Sequence, residues 1–471
     1  MQTSKRVRVV ILGAGPAGIS AANQLARRQH FDVTVVEASP RVGGNSGSFA
    51  LGGMNVDFGS HRLHPVCAPH ILRQIRSMLG PELIQRPRHG RIRLWNRWIH
   101  FPLRAFDLAA NAPHSFWLGA GRDALKRRTQ RRDWESYASV LEQKFGSRIC
   151  QDFYFPYAKK IWGLDPSALH AEQARRRVSA RSSIEIFAQA ASLIRRRSRA
   201  KTFYYPRNGY GRICEAYAAA ALAAGAKFEF NTKLTSIAVS DGPSSEVGAR
   251  NCAQDLLLPA NLVLSTIPIT ALLRSIQPAP PTSILQGMTA LRFRAMILIY
   301  LVLETDRFTE FDAHYFPGPE IPITRCSEPK NYGLAGVPGR TVLCLELPCS
   351  VNDSVWSATE AELASIGLNA LATADLAVKS KVVQVAVRRI PTAYPIYTTN
   401  FRQHLTNALN WLEQLAPVMT LGRQGLFAHT NTHHVLELAY AASESIRDDG
   451  TINRALWARS KLNFDEQAVQ D

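Results

Sequence analysis

Val7-Arg8-Val9-Val10-Ile11-Leu12-Gly13-Ala14-Gly15-Pro16-Ala17-Gly18 is the stretch that decides the fold. The β-branched, apolar run, broken once by Arg8, has strand character. It gives way to Gly-x-Gly-x-x-Gly, and helical spacing continues through Ala21, Leu25 and Ala26. A second β-branched run, Val33-Thr34-Val35-Val36, ends on Glu37. Strand, glycine turn, helix, strand and acid in this order predict a dinucleotide-binding unit. Gly13 is expected to permit the tight turn, Gly15 to leave room for a pyrophosphate, and Gly18 to let helix and strand pack closely. The helix N-terminus offers free N–H groups and partial positive charge to the phosphates. Glu37 is expected to accept hydrogen bonds from a ribose.

At 471 residues the chain is long for one core, and two domains are expected. A composition of 46% apolar and 20% charged residues, without repeats, excludes fibrous and disordered classes. Net charge is +19, and the excess arginine is clustered: Lys126-Arg127-Arg128, Arg131-Arg132, Arg175-Arg176-Arg177, and Arg195-Arg196-Arg197 with Arg199. Such a field attracts anions: an anionic small-molecule substrate, an anionic membrane or nucleic acid. No nucleic-acid motif accompanies the charge, so nucleic acid is discounted as a partner. The seven irregularly spaced cysteines suit reduced thiols in a cytoplasm. Lys5-Arg6 before an apolar run imitates an export signal, but that run is the first strand, so export is rejected. No apolar stretch is long enough to span a membrane. Ile184 to Ile194, flanked by arginines, is a candidate for peripheral membrane contact; a helix packed in the second domain is the favoured reading.

Two parallel strands do not complete a sheet, so later segments must return to it. Tyr204 to Gly211 reads as a turn, with a helix after it through Ala216, Ala219, Ala220 and Ala223. Ala226–Phe230 and Leu234–Val239 read as strands, and Asn261–Pro268 as a buried strand ending at a proline turn. The last return is Gly422 to Phe427, before a helix from His434 to Ile446. Met296–Leu303 and Thr341–Glu346 are long apolar strands of the other part. The expected class is therefore α/β: a Rossmann-type nucleotide-binding domain (1–90, 204–270 and 391–471) interleaved with a mixed α+β substrate domain (91–203 and 271–390). Ligands of such a pair bind at the seam.

The segment after Glu37, through Arg41, Gly43, Gly44 and Asn45, resembles the Glu-x-x-x-x-x-Gly-Gly extension of FAD enzymes in the amine-oxidase superfamily. Gly59-Ser60-His61-Arg62-Leu63-His64 resembles the Gly-x-His-x-x-His segment of UDP-galactopyranose mutases, and protoporphyrinogen-oxidase-like proteins share its first histidine. Tyr157-Ala158-Lys159-Lys160-Ile161-Trp162-Gly163 is similar to Tyr-x-x-Lys-x-Trp-Gly of both groups. Thr324-Arg325-Cys326-Ser327-Glu328-Pro329-Lys330 resembles the mutases' Thr-Arg-x-x-Glu-x-Lys. Gly422-Arg423-Gln424-Gly425 is similar to the Gly-Arg-x-Gly that closes the FAD site.

The resemblance implies FAD as cofactor, held by Gly13, Gly15, Gly18, Glu37, Arg41, Gly43, Gly44, Asn45, Gly59, Ser60, Leu234, Gly422 and Arg423. His61 would lie beside the isoalloxazine near N5, while Trp162, Arg325 and Asn431 would meet the substrate, Arg325 at an anionic group. The chain departs from the mutases where they place tyrosines and an aspartate, having Phe427, His429 and Asn431 instead; their tyrosine-rich flap is replaced by Arg181-Ser182-Ser183-Ile184. His429, His433 and His434 supply a general-base candidate near neutral pH; without carboxylate or cysteine ligands nearby, no metal is assigned. The expected reaction is oxidation of a small polar or anionic substrate in a biosynthetic pathway, with hydride passing to flavin N5. Arg325 would hold the substrate, and His61 or His429 would remove the proton. The alternatives are a non-redox mutase acting on a sugar nucleotide and a flavin-bound structural partner without turnover.

Overall fold

The computed structural model describes residues 6–102, 105–126, 135–177, 202–240, 242, 244–465 and 469. The arginine runs at 127–132 and 195–199, the segment 184–194 and the flap position 181–184 lie outside the described residues. The first strand, Val7–Leu12, is central to a five-stranded parallel sheet. Its order is Val418–Thr420, Leu262–Ser265, Val7–Leu12, Phe31–Val36, Lys227–Glu229. Both faces are covered. Val9 and Ile11 pack with the helices Pro16–Ala26, Arg212–Ala223 and Thr432–Glu444, while Val10 and Leu12 pack with Phe401–Gln414. Burial on both sides is why the strand reads as a continuous apolar run. Arg8 is tolerated at its start, where Asn261 Oδ1 accepts the Arg8 amide at 2.9 Å.

The other large sheet has seven strands, ordered Val382–Ile396, Arg292–Leu303, Thr341–Cys349, Arg325–Ser327, Ala313–Tyr315, Gly90–Leu94 and Arg97–Phe101. Alternate residues of Arg292–Leu303 serve two cores. Ile297, Ile299 and Leu301 pack with Leu363 and Leu371 of the helix Glu360–Thr373; Leu298, Tyr300 and Val302 join the core of the nucleotide-binding part. Each such side chain contributes about 1.5–3 kcal/mol on burial, so this sheet is held by its faces and one of them forms the seam.

The fold class is as expected, with local corrections. The last return to the parallel sheet is Val418–Thr420, and Gly422–Gly425 is a short helical turn after it. Gly422 has φ +81°, and a Cβ there would lie 2.8 Å from Ala17 Cβ, so the chain must turn against the nucleotide helix. Tyr204 to Pro206, the start of the expected turn Tyr204 to Gly211, belongs to the strand Thr202–Pro206, paired with Leu83–Pro87. Ile276–Gln277 joins a four-stranded sheet with Lys233–Ala238, and Val382–Ile396 stays in the seven-stranded sheet past residue 391. Among the described residues no helix is long and apolar enough to cross a membrane.

Candidate functional site

The three glycines of the turn divide their work sharply. Gly13 has φ +97°, and a Cβ there would sit 2.6 Å from Thr266 Oγ1. A Cβ on Gly18 would lie 1.9 Å from Gly13 O, which is the close helix–strand contact. At Gly15 a Cβ meets nothing within 4 Å, so only the middle glycine faces open space. That space lies at the N-terminus of Pro16–Ala26, where no side chain caps the free N–H groups. Gly43 donates its amide to Ala14 O at 2.8 Å and brings Gly44 over the turn. A cradle of backbone amides that only glycines leave open fits a pyrophosphate.

Glu37 Oε2 accepts the Ala14 amide at 2.7 Å, and Oε1 accepts the Ser39 amide and hydroxyl at 2.8 and 2.7 Å. A carboxylate has about four acceptor positions, so one remains for a ribose. Arg41 is tied to the main chain of the glycine loop. Its Nη1 donates to Val42 O and Gly44 O, and its guanidinium lies 3.8 Å from the Phe58 ring centre, bracing the glycine loop from behind. Asn45 is exposed beside it. Leu234 lies two residues beyond Thr232, whose amide donates to Glu37 O.

Asp57–Arg62 fastens this cradle to the seven-stranded sheet. Asp57 is buried and accepts from Ser48 Oγ, Tyr205 OH and the Tyr210 amide at 2.6–2.7 Å; burial pushes its carboxyl up to about 6 despite these bonds. Tyr300 OH donates to Asp57 O at 2.6 Å, and Ser60 Oγ lies 2.6 Å from Tyr332 OH. Gly59, at φ +93°, and Ser60 run beside Glu346, and the Ser60 amide donates to its Oε1 at 3.1 Å. Arg62 pairs with Asp312 at 3.1 Å. The His61 ring stacks on Tyr210, with centres 5.2 Å apart, and its Nε2 lies 3.0 Å from Phe58 O. Burial draws its pKa down, with the Phe58 and Asn45 carbonyls opposing and Arg325 adding to the fall. His61 is therefore held at Nε2 by the Phe58 carbonyl, with its ring half-buried against Tyr210.

Three further expectations are corrected. Arg325 is not an unpaired cation: Nε and Nη2 both donate to Glu346 Oε1, at 3.0 and 2.6 Å. His429 has no exposed surface; Gln173 lies 3.0 Å from its Nε2, and Trp162 and Tyr397 close on its ring. Burial holds its pKa well below the usual histidine range, with Arg177 and Arg423 adding to the effect. His429 is thus packed against Trp162 with no surface of its own open to a ligand. Asn431 is engaged as the N-cap of Thr432–Glu444, in a capping box with His434. Phe427, at φ +50°, points into the core against Phe293. Among the described residues no cluster of three or more His, Cys, Asp or Glu is placed to hold a metal.

Trp162, 3% exposed, meets Tyr394, and two arginine guanidiniums lie near the Tyr394 ring. The Arg177 guanidinium lies 5.3 Å from the Tyr394 ring centre and 5.7 Å from that of Trp162; Arg423 lies 5.1 Å from Tyr394. Arg423 donates to Ala393 O at 2.9 Å but leaves its buried Nε unpartnered. Burial lowers its pKa, against the pull of Tyr394 and with Arg177 reinforcing the fall. Neither arginine has a carboxylate partner among the described residues. Sequence reasoning missed Glu346, Gln173 and Tyr394. The signal for Glu346 was its isolation in an apolar run.

The family model for flavin-containing amine oxidoreductases matches residues 16–433. Local matches reach polyamine oxidase 3 of Oryza sativa subsp. japonica, 39% identical over 71 residues (15% of this chain, 14% of that protein). They also reach a D-amino acid dehydrogenase of Dechloromonas aromatica (strain RCB), 42% identical over 76 residues (16% of this chain, 17% of that protein). These matches span a small part of either relative. Reduced UDP-galactopyranose mutase superposes with a TM-score of 0.78 at 17% identity, over 98% of this chain and 99% of that one. Putrescine oxidase bound to putrescine gives 0.66 at 16% identity, over 93% and 98%. A dinucleotide turn closed by Glu37 makes the family's flavin FAD. The chain belongs to the flavin-containing amine oxidoreductase family.

Proposed function

We propose that the protein is an FAD-dependent oxidoreductase that oxidises an amine carrying an anionic group. The observation that carries this reading is the pair Arg177 and Arg423 on Tyr394, two guanidiniums without a carboxylate partner among the described residues. A carboxylate or phosphate between them supplies the missing charge and meets the planar donor forks that suit it. Arg325 and Glu346 cancel each other and leave that part of the wall close to neutral.

Bound FAD supplies the two-electron acceptor. The chain's part is positioning: Tyr394, backed by the buried Trp162, gives the substrate a flat apolar surface, and the arginines fix its anionic end. With His61 and His429 both engaged, the substrate must release hydride without a protein base. A carbon next to a neutral nitrogen can do so. Its C–H bond breaks with both electrons, the nitrogen lone pair forms the C=N bond, and the nitrogen's proton leaves to water. An alcohol would need its hydroxyl proton removed in the same event, which favours the amine.

The test is an anaerobic screen of amines, amino acids and their esters for bleaching of the bound flavin. Acidic amines should reduce it. Arg177→Met should raise KM for the acid at least tenfold and leave the matching ester unchanged; equal effects on both would refute the anion seat. The sugar-nucleotide reading is favoured by His61 and His64 in the Gly-x-His-x-x-His spacing. It requires turnover only after prior reduction of the flavin, with no net consumption of oxidant.

A further inference from the structure

Glu346 lies within Thr341–Cys349, a strand buried along its length, and is 4% exposed. Arg325 is its direct cross-strand partner. One oxygen, Oε1, accepts from Arg325 Nε at 3.0 Å, from Arg325 Nη2 at 2.6 Å and from the Ser60 amide at 3.1 Å. Gly59 passes so close that a Cβ there would lie 3.4 Å from the same oxygen. The acid therefore ties an arginine to the main chain that runs into His61.

We propose that Glu346 is a positioning residue that sets the electrostatic balance at the flavin. It cancels the Arg325 charge beside the Gly59–His61 segment and draws the Ser60 amide onto itself. The inference rests on the flavin reading of the site. In a poorly solvated wall an ion pair and a lone guanidinium act very differently on a neighbouring group that gains electrons. Glu346→Gln keeps an oxygen for the Ser60 amide and for Arg325 but leaves the positive charge uncompensated. That charge favours the electron-rich, reduced state of the cofactor. Arg325→Met leaves the negative charge instead and must act in the opposite sense.

The experiment equilibrates bound FAD with a reference redox dye during slow anaerobic reduction, in wild type and both variants. FAD content and thermal melting are measured in parallel. Glu346→Gln should raise the equilibrium constant for two-electron reduction at least tenfold, about 30 mV; Arg325→Met should lower it. A Glu346→Gln enzyme that holds FAD yet stays within twofold of wild type overturns the proposal. So does a constant in Arg325→Met that rises or stays level, which decides the matter if Glu346→Gln fails to fold. A purely structural role would change melting without moving the two constants in opposite directions. Wild-type protein that binds no FAD removes the flavin reading itself, whereas bound FAD with an unresponsive potential removes only the role of Glu346.

Discussion

Gly15→Ala and Gly18→Ala add the same methyl group three residues apart and should fail in different ways. At Gly15 the backbone has φ −72° and ψ 178°, open to any residue, and the new Cβ meets no atom within 4 Å. The cost to the folded protein is that of a poorer N-cap, about 0.5–1 kcal/mol. In a chain of this size that lowers Tm by no more than about 2 °C. The methyl stands, however, in the space the pyrophosphate needs against the backbone, so FAD affinity should fall at least tenfold, about 1.4 kcal/mol. At Gly18 the Cβ lies 1.9 Å from Gly13 O, and helix and strand must part by about 1.5 Å or more to reach ordinary contact. Overpacking of that kind costs about 3 kcal/mol. Thermal melting of the apoprotein and a fluorescence titration with FAD separate the two. Wild-type FAD affinity in Gly15→Ala would show that the open space beside the turn is not the cofactor's seat. An undisturbed melt in Gly18→Ala would refute the packing argument.

Asp57 gives a pH prediction. Its folded pKa of about 6 stands above the ordinary carboxylate value, so the native state holds the proton more tightly than the unfolded chain. Stability from this group is therefore greatest below about pH 4 and falls by about 3 kcal/mol as pH rises to about 6; chemical denaturation across that range should show the decline in wild type and lose it in Asp57→Asn. His429→Gln should lower stability yet leave the pH–rate profile between pH 6 and 8 unchanged, because a caged, neutral imidazole does not titrate there; a lost limb in that profile would restore it as a base. Trp162→Ala should weaken substrate binding while FAD content stays complete, measured as KM against the flavin-to-protein absorbance ratio.

Local pattern carried the nucleotide-binding half into view. The glycine turn, Glu37 and the strand Leu262–Ser265 are each defined within a few residues, and burial on both faces writes Arg292–Leu303 and Thr341–Cys349 as plain apolar runs. The family motifs single out Arg325, Trp162 and His61, but not what those side chains hold. Arg325 and Glu346 stand 21 residues apart and meet only through antiparallel register, which no local periodicity encodes. His429 looked available because nothing in its own segment reveals Gln173, 256 residues away, or the rings of Trp162 and Tyr397 that close over it. Asn431 precedes Thr432 and a helical run, a local pattern that fits the N-cap role the structure gives it.

The six residues from Asp57 to Arg62 are anchored at both ends of a bridge, with Tyr205 and Tyr210 on one bank and Tyr300, Tyr332, Glu346 and Asp312 on the other. A molecule built this way does not swing open along that line as a hinge would. Unseating the cofactor and parting the halves become a single event, so cofactor loss and mechanical rupture should share one threshold.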